Sequence, residues 1–452
     1  MKTSYYKKIV GAALLLVAAL SSCRKETDVF DESPDQRMEA YLQNAQQVLL
    51  AAENGWVGTV TSQAGPVFNY YMQFDGNNRV KMYSDFDTVS SGVFAESGYR
   101  LKGLQQPSLL FDTYSYVHLP ADPQGSVNGG EDGQGLLTDF EFALDSVSSG
   151  YLRLKGRFNR STGIFRAATR EEAEKWTEHK WQENIEATMS LQKFSTYFTR
   201  MQVDGSDVCD IAINHYNRQI RFSSYSPSGG VNITMAAYHY ADAETVLNEP
   251  VTINGITIEK LEDLHWDDAT QTVVFRTNGK QASISAASSP IVVDAGAYRR
   301  WRNAALNAGS LWYASYGIVH EWQGDYTQIG SSTRFYLMGY IPGSTPSTDR
   351  LITAYLTEAQ DDIEGVYGYF VSPALQPGGT VIFTDMTAYR EANGLTPVTA
   401  GDAPDAKSGA AMRQSMLELT IPEGFYVIQT GANSYDMVSA KDARTWFNWE
   451  LY

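Results

Sequence analysis

The hydrophobic and polar positions divide the chain into three blocks, each of which opens with a helical pattern and continues with a strand-like one. Apolar residues recur at intervals of three and four after Ser33, after Thr169 and after Asp294. Beyond each helix, short runs rich in Val, Ile, Tyr and Phe are separated by Gly, Asn and Asp, as in strands joined by tight turns. The pattern predicts a mainly β chain with a few helices. We expect tandem antiparallel β-sandwich or lipocalin-like barrel modules, each with a leading helix.

Three helices are predicted in detail. The first begins with a capping box formed by Ser33 and Gln36 and ends at Asn54-Gly55, where glycine suits a left-handed cap. The second is predicted to run from Thr169 to about Met189, and the third from Asp294 to Asn307.

The first two blocks contain a weak internal repeat. Residues 78–84 resemble residues 218–224, and residues 109–113 resemble residues 273–277, in the same order but with different spacings. A duplicated β module would explain the repeat. The alternative is that β-rich segments resemble one another in general.

The third block is predicted to contain strands, among them residues 310–321 and 416–421, and a long surface loop over residues 393–411, where Gly, Pro, Asp and Ala dominate. Polar-tipped aromatic rings cluster near its start. They are Trp312, Tyr313, Tyr316, Trp322 and Tyr326. Such rings serve as sugar-binding platforms or protein interfaces when exposed, but they more often pack in a core.

The first 22 residues have the pattern of a secretory signal. Three lysines precede an uncharged run over residues 9–20, which is too short to span a bilayer as a mature anchor. Cys23 directly follows Leu20-Ser21-Ser22 and is thereby similar to the bacterial lipoprotein box, in which the Cys thiol is acylated and becomes the new N-terminus. The alternative is an ordinary secretory signal followed by a chance Cys.

These patterns predict five segments along the chain. They are a signal peptide (residues 1–22), the lipidated Cys23 with an acidic tether (23–32), a first helix plus β module (33–168), a second helix plus β module (169–293) and a β-rich C-terminal module (294–452).

Charge and cysteine content narrow the function classes. Without residues 1–22 the chain has 32 basic and 52 acidic residues, a net charge of −20. A nucleic-acid partner is not expected, because phosphate binding needs clustered Lys and Arg. Besides Cys23 the only cysteine is Cys209, which we predict to be a buried, inert thiol in a strand. Packing rather than an internal disulfide must therefore stabilise the chain.

Standard catalytic and metal-binding motifs are incomplete. His320-Glu321 lacks the second histidine of a zincin helix, and His179 with Glu183 forms at most a solvated pair on one helix face. The loop 128–139 has carboxylates but places Gly130 where a calcium ligand is needed. The acidic residues 361–364 lie in one turn, whereas glycosidase carboxylates must face each other across a cleft. We therefore predict no catalytic, cofactor-binding or metal-binding residues.

Several motifs together resemble a family of Bacteroidota surface lipoproteins that is defined as a domain of unknown function. They are the lipoprotein box at Cys23, the helix end Asn54-Gly55-Trp56, and the segments 74–80, 110–114 and 254–266. The resemblance spans much of residues 1–300. It implies a gene neighbourhood of starch-utilisation-type outer-membrane transporters, surface nutrient-binding lipoproteins and zinc metallopeptidases. The family offers no catalytic residues to carry over.

We therefore expect a protein attached to the outer membrane by the lipid on Cys23, facing either the cell surface or the periplasm. The first functional hypothesis is a ligand-binding or accessory component of glycan or peptide capture, with an outer-membrane transporter or a surface nutrient-binding lipoprotein as partner. The alternatives are a hydrolase with a site made of distant carboxylates and a structural subunit of a transport complex.

Overall fold

The computed structural model describes residues 32–227, 229–242, 244–314, 317–391, 395–397 and 405–452. The predicted signal peptide and Cys23 lie outside the described residues. The helices are α1 (Pro34–Leu50), α2 (Thr88–Gly92), α3 (Gly125–Asn128), α4 (Arg170–Thr177), α5 (Lys180–Met189), α6 (Ala297–Ala308) and α7 (Ala406–Leu419). Short 3-10 turns occur at Tyr116–Ala121, Ser190–Lys193, Ile329–Ser331 and Pro346–Thr348.

The first eight strands form a closed antiparallel barrel in which each strand pairs with the next and β1 pairs with β8. These strands are β1 (Trp56–Thr61), β2 (Val67–Phe74), β3 (Arg79–Ser84), β4 (Ala95–Gly103), β5 (Pro107–Phe111), β6 (Glu141–Ser148), β7 (Tyr151–Gly156) and β8 (Thr162–Ala167).

The next eight strands form a second closed barrel, in which β9 pairs with both β10 and β16. These strands are β9 (Phe198–Val203), β10 (Ser206–Asn214), β11 (Gln219–Tyr225), β12 (Val231–Ala241), β13 (Glu244–Ile253), β14 (Ile256–Asp267), β15 (Thr272–Thr277) and β16 (Lys280–Ala287).

The remaining strands form a third barrel, which closes because β26 pairs with β17. Short β18 continues β17 along β26, and β23 is a side branch on β22. These strands are β17 (Trp312–Tyr313), β18 (Ile318–His320), β19 (Phe335–Ile341), β20 (Asp349–Leu356), β21 (Ile363–Leu375), β22 (Val381–Glu391), β23 (Leu395–Pro397), β24 (Phe425–Gln429), β25 (Ser434–Ser439) and β26 (Thr445–Leu451).

The first barrel is packed rather than hollow. Alternate residues of β2 point inward, so that Phe68, Tyr70 and Met72 are at most 2% exposed. The space left inside the first barrel is about 10 Å³, which is the volume of about one water. A ligand of this protein must therefore bind outside the first barrel.

Helices α1 and α6 pack on the first and third barrels in the same way. Each precedes a buried tryptophan in the first strand of its barrel, and that indole N–H donates to a helix carbonyl. Trp56 donates to Leu49 O and Trp312 to Trp301 O, both at 2.9 Å. The predicted fold class is confirmed, and of the two predicted architectures the chain adopts the barrel.

Several predicted elements differ from the observed ones. The predicted helix over 169–189 is two helices, because His179 adopts a left-handed φ of +62° between α4 and α5. The third helix starts at Ala297, three residues later than predicted. The predicted strand 310–321 is interrupted between β17 and β18.

The largest error concerns the chain after residue 393. The predicted strand 416–421 and the end of the predicted loop 393–411 belong instead to α7. Asp405 caps α7 by accepting from the Ser408 N–H at 2.8 Å. Met412, Met416 and Leu419 then recur on one buried face, which is a helical and not a strand spacing.

Candidate functional site

The turn between β10 and β11 inserts against the first barrel. Arg218 in this turn donates through Nη2 to the Asp85 carboxylate at 3.2 Å and to the Asp85 carbonyl at 2.5 Å. Arg218 is 1% exposed and Asp85 is fully buried. The guanidinium also lies over the ring of Tyr240, 4.4 Å from its centroid. A buried ion pair therefore joins the two barrels.

Asn69 supplies further hydrogen bonds to the carboxylate of Asp85. Its backbone N–H and its side-chain amide donate to the two carboxylate oxygens of Asp85 at 2.9 and 2.7 Å. The same amide donates to Tyr240 O, 2.8 Å away on the second barrel. These bonds satisfy the buried carboxylate and leave it no free position for a substrate.

Next to this pair, His215 lies in the same turn and is 4% exposed. Its Nε2 contacts Phe86 O, and its Nδ1 is 3.3 Å from the Tyr240 hydroxyl. Burial, reinforced by the charge of Arg218, lowers the pKa of His215 to about 3. The imidazole is therefore neutral at physiological pH.

A stack of aromatic rings connects the outside of the first barrel to the helix pair α4–α5. Phe94 stacks on Tyr83 at 4.0 Å, Tyr83 on Trp176 at 6.1 Å, and Trp176 on Trp181 at 4.3 Å between ring centroids. Trp176 and Trp181 are 2% and 8% exposed. The stack holds the helices rigidly beside the barrel.

These contacts leave a cleft of about 490 Å³, within the usual range for ligand sites. We call it the inter-barrel cleft. Its floor is the outer surface of β1, β2, β7 and β8, and its walls are α4, α5 and the end of β12. It is lined by Val57, Gly58, Thr59, Asn69, Tyr70, Tyr151, Ile164, Arg166, Glu172, Lys175, Trp176, Trp181, Ala241 and Asp242.

Two side chains of the floor are open to solvent. Tyr151 is 37% exposed and Ile164 is 45% exposed. Both lie on strands whose inward residues fill the first barrel, so the alternation of β7 and β8 presents these side chains outward. A tyrosine beside an aliphatic side chain provides an apolar contact surface with one polar tip.

Two ion pairs form the rim of the cleft. Arg166 binds Glu172 through both guanidinium amino groups, one of them at 2.7 Å, and Lys175 binds Asp242 across to the second barrel. The bond from Arg166 lowers the pKa of Glu172 to about 2. The bond to Asp242 raises the pKa of Lys175. At neutral pH the positive and negative charges of these two ion pairs therefore cancel.

This arrangement is suited to binding rather than to acid–base chemistry. A general acid needs a raised pKa, whereas Glu172 is ionised and already occupied by Arg166. A balanced rim in a chain of formal net charge −17 favours an uncharged or zwitterionic ligand.

The residues singled out in the sequence do not converge on this cleft. Cys209 is fully buried, and burial raises its pKa to about 12, so it is an inert thiol as predicted. In loop 128–139, Asp132 accepts from Gly125 N and Asp139 binds the turn after β7. Among the described residues, no three His, Cys, Asp or Glu side chains converge as a metal site would require.

The side chains of the other candidate residues also bind partners within the protein. Asp361 accepts from Thr357 at 2.7 Å in an exposed turn, and Glu364 pairs with Arg334. His179 is the N-cap residue that precedes α5, and Glu183 lies in the first turn of that helix. These positions do not face one another across a cleft.

The aromatic cluster of the third block is mainly structural. Trp312 is fully buried, and Tyr313 donates to Glu450 at 2.6 Å. Trp322 is 47% exposed, yet its indole donates to Phe194 O and joins the second and third barrels. Tyr326 stacks on His320 at 4.5 Å. Tyr316 lies outside the described residues.

Sequence reasoning missed the cleft because its residues are far apart in the chain. The sequence contained one indication of the cleft, and it involved only residues close together in the chain. Glu172 completes a capping box with Thr169, and Arg166 lies six residues before it. That spacing does not reveal that Asp242 would meet Lys175 from another barrel.

Comparisons with known proteins give a family but no activity. No curated protein matches the chain. A solved structure of DNA polymerase III subunit beta from Borrelia burgdorferi, in complex with a natural product, is 8% identical, with 92% of this chain and 97% of that chain covered. Its TM-score is 0.13, so it carries no argument about fold or function.

No helix in the described part of the chain is both long and apolar enough to cross a bilayer. A family described as a domain of unknown function, DUF4302, matches residues 26–268, which is more than half of the 452 residues. This region contains every residue that lines the inter-barrel cleft. The chain therefore belongs to the DUF4302 family.

Proposed function

We propose that this protein is a lipid-anchored cell-envelope protein that binds a glycan or a peptide in the inter-barrel cleft, as an accessory component of nutrient capture. The observation that carries the proposal is the cleft itself. It is about 490 Å³ in volume, preformed by rigid contacts, apolar on its floor and charge-balanced at its rim.

The anchor rests on the sequence before the first helix. Leu20-Ser21-Ser22-Cys23 resembles a lipoprotein box, and acidic residues follow it, as in surface-exported Bacteroidota lipoproteins. The protein would then face the cell surface, beside an outer-membrane transporter or a surface nutrient-binding lipoprotein.

The hydrolase alternative has less support from the cleft. Glu172 and Asp242 are its carboxylates, and each is bound to a cation. The third alternative, a structural subunit of a transport complex, predicts copurification with a transporter without any nutrient ligand.

The proposed lipid anchor is tested by removing the thiol group that would be acylated. We expect Cys23→Ala to move the protein from the membrane fraction to the soluble fraction, because the thiol that would carry the lipid is removed. Cell fractionation and the mass of the N-terminal peptide provide the measurement. Retention of the variant in membranes, with no acyl mass on the wild-type peptide, would refute the anchor.

The cleft is tested by a glycan and peptide binding screen on the soluble Cys23→Ala protein. For a ligand that binds, we expect Tyr151→Ala to raise Kd by about tenfold, because an exposed aromatic contact is worth about 1–1.5 kcal/mol. Tyr225→Ala is the matched control, because Tyr225 is 59% exposed on β11 and does not line the cleft. Equal losses in both variants would place the ligand elsewhere.

A further inference from the structure

The turn between β7 and β8 presents a phenylalanine to solvent. Phe158 is 90% exposed, the highest value among the exposed large hydrophobic side chains in the described part of the chain. Exposure of a whole aromatic side chain leaves apolar area in water, and contact with an apolar partner would remove it.

The turn is held rigidly in place. Asp139 is 4% exposed and accepts hydrogen bonds from the backbone N–H groups of Phe158 and Asn159 at 2.7 and 2.8 Å. Its second oxygen accepts from Ser161 N and Ser161 Oγ at 3.1 and 2.7 Å. The exposed ring is therefore the product of a specific internal scaffold and not of a loose loop.

Basic residues flank Phe158 in the chain. Lys155, Arg157 and Arg160 line one side of a shallow depression of about 320 Å³, and all three are exposed. Among the described residues, no carboxylate lies within 4.0 Å of their charged groups, although Glu141 is the neighbour of Arg157 in the adjacent strand. In a chain of formal net charge −17, three neighbouring cations without a carboxylate partner are unusual.

The depression beside this turn is also close to α1, the first helix of the described chain. Its opposite side is lined by Gln105 and Gln106 in the turn between β4 and β5. That turn lies under α1, since a Cβ on Gly103 would be 2.5 Å from Met38 Cγ. Ser33, which caps α1, is ten residues after Cys23, a span of at most about 35 Å.

We propose that Phe158, Lys155, Arg157 and Arg160, together called the Phe158 patch, bind the anionic surface of a lipid bilayer. The ring would insert at the level of the headgroups while the three cations meet lipid phosphates. The patch would fix the orientation of the first barrel on the membrane, which a single lipid on Cys23 cannot do. This inference rests on the proposed membrane attachment at Cys23 and adds a second contact to it.

The test uses the soluble Cys23→Ala protein and vesicles in a flotation assay. One set is phosphatidylcholine alone, and the other contains about one third phosphatidylglycerol. We expect binding to the anionic vesicles only, weakened by salt. Arg157→Gln/Arg160→Gln should reduce the partition coefficient about 25-fold, because each cation near an anionic surface contributes about fivefold. Phe158→Ser should reduce it at least tenfold.

Matched controls separate the patch from net charge and from general hydrophobicity. Arg170→Gln/Arg276→Gln removes two exposed cations elsewhere, and Tyr225→Ser removes another exposed ring. Both controls should bind as the parent protein does, and circular dichroism should show all variants folded. Absence of binding to anionic vesicles, or equal losses in patch and control variants, would overturn the proposal. Binding that follows a copurifying protein instead of lipid would also overturn it.

The two experiments distinguish a failure of the patch from a failure of the anchor. An acylated N-terminal peptide with no vesicle binding would refute the patch and keep the anchor. An unmodified Cys23 with Phe158-dependent vesicle binding would refute the anchor and keep the patch.

Discussion

Asp85 and Arg218 neutralise each other at a position from which water is excluded. Desolvation of two charges is costly, and the short contacts among Asp85, Arg218 and Asn69, with the Tyr240 ring beside the guanidinium, act against that cost. His215, in the same turn as Arg218, needs no charged partner, because its imidazole remains neutral when buried. Single residues at this junction therefore depend on partners that are more than a hundred positions away in the chain.

The buried His215 predicts a pH dependence of stability. Its folded pKa of about 3 is below the unfolded value of about 6.5, so only the unfolded state binds the proton between these values. The contribution of His215 is fully present above pH 6.5 and is lost as pH falls toward 3. Compared with His215→Asn, the wild type should lose up to about 1.4 kcal/mol of unfolding free energy per pH unit in this window. Urea unfolding at several pH values measures it, and parallel curves for both proteins would contradict it.

At the scale of elements, the sequence predicted what depends on local periodicity. The capping box of Ser33 and Gln36 is present, with Gln36 N 3.2 Å from Ser33 Oγ. The turn after Phe74 joins β2 to β3, and its Asp, Gly and Asn residues are a local turn signal. Residues 78–84 and 218–224 form the third strands of the first and second barrels, so this part of the repeat has structural counterparts.

The remaining predictions of strands, helices and repeats were wrong where the structure is not determined by the local sequence pattern. Residues 109–113 and 273–277 belong to the fifth and the seventh strands of their barrels and are not counterparts. The break at His179 depends on a single left-handed residue. The tryptophans that bind α1 and α6 are a repeat between the first and third modules that the strand patterns did not reveal.

At the scale of the whole molecule, the first two barrels are coupled through few but buried contacts. We expect Arg218→Met to lower the unfolding free energy by about 3–5 kcal/mol, because it leaves the Asp85 charge buried without its partner. Arg276→Met is the control, since the Arg276–Asp263 pair is exposed and should contribute less than about 1 kcal/mol. Chemical denaturation measures both. Equal effects of the two substitutions would show that the buried pair does not couple the barrels.

The sequence alone determined the mainly β class, the starts of α1 and α4 and the expectation of an export signal, because these depend on neighbours in the chain. Period-two alternation shows which side of a strand is buried, but not which strand closes the sheet. Only the tertiary structure decided that β1 pairs with β8 and that Arg166, Lys175 and Asp242 meet at one cleft. Those contacts join residues far apart in the chain, and long-range packing, not local pattern, selects them.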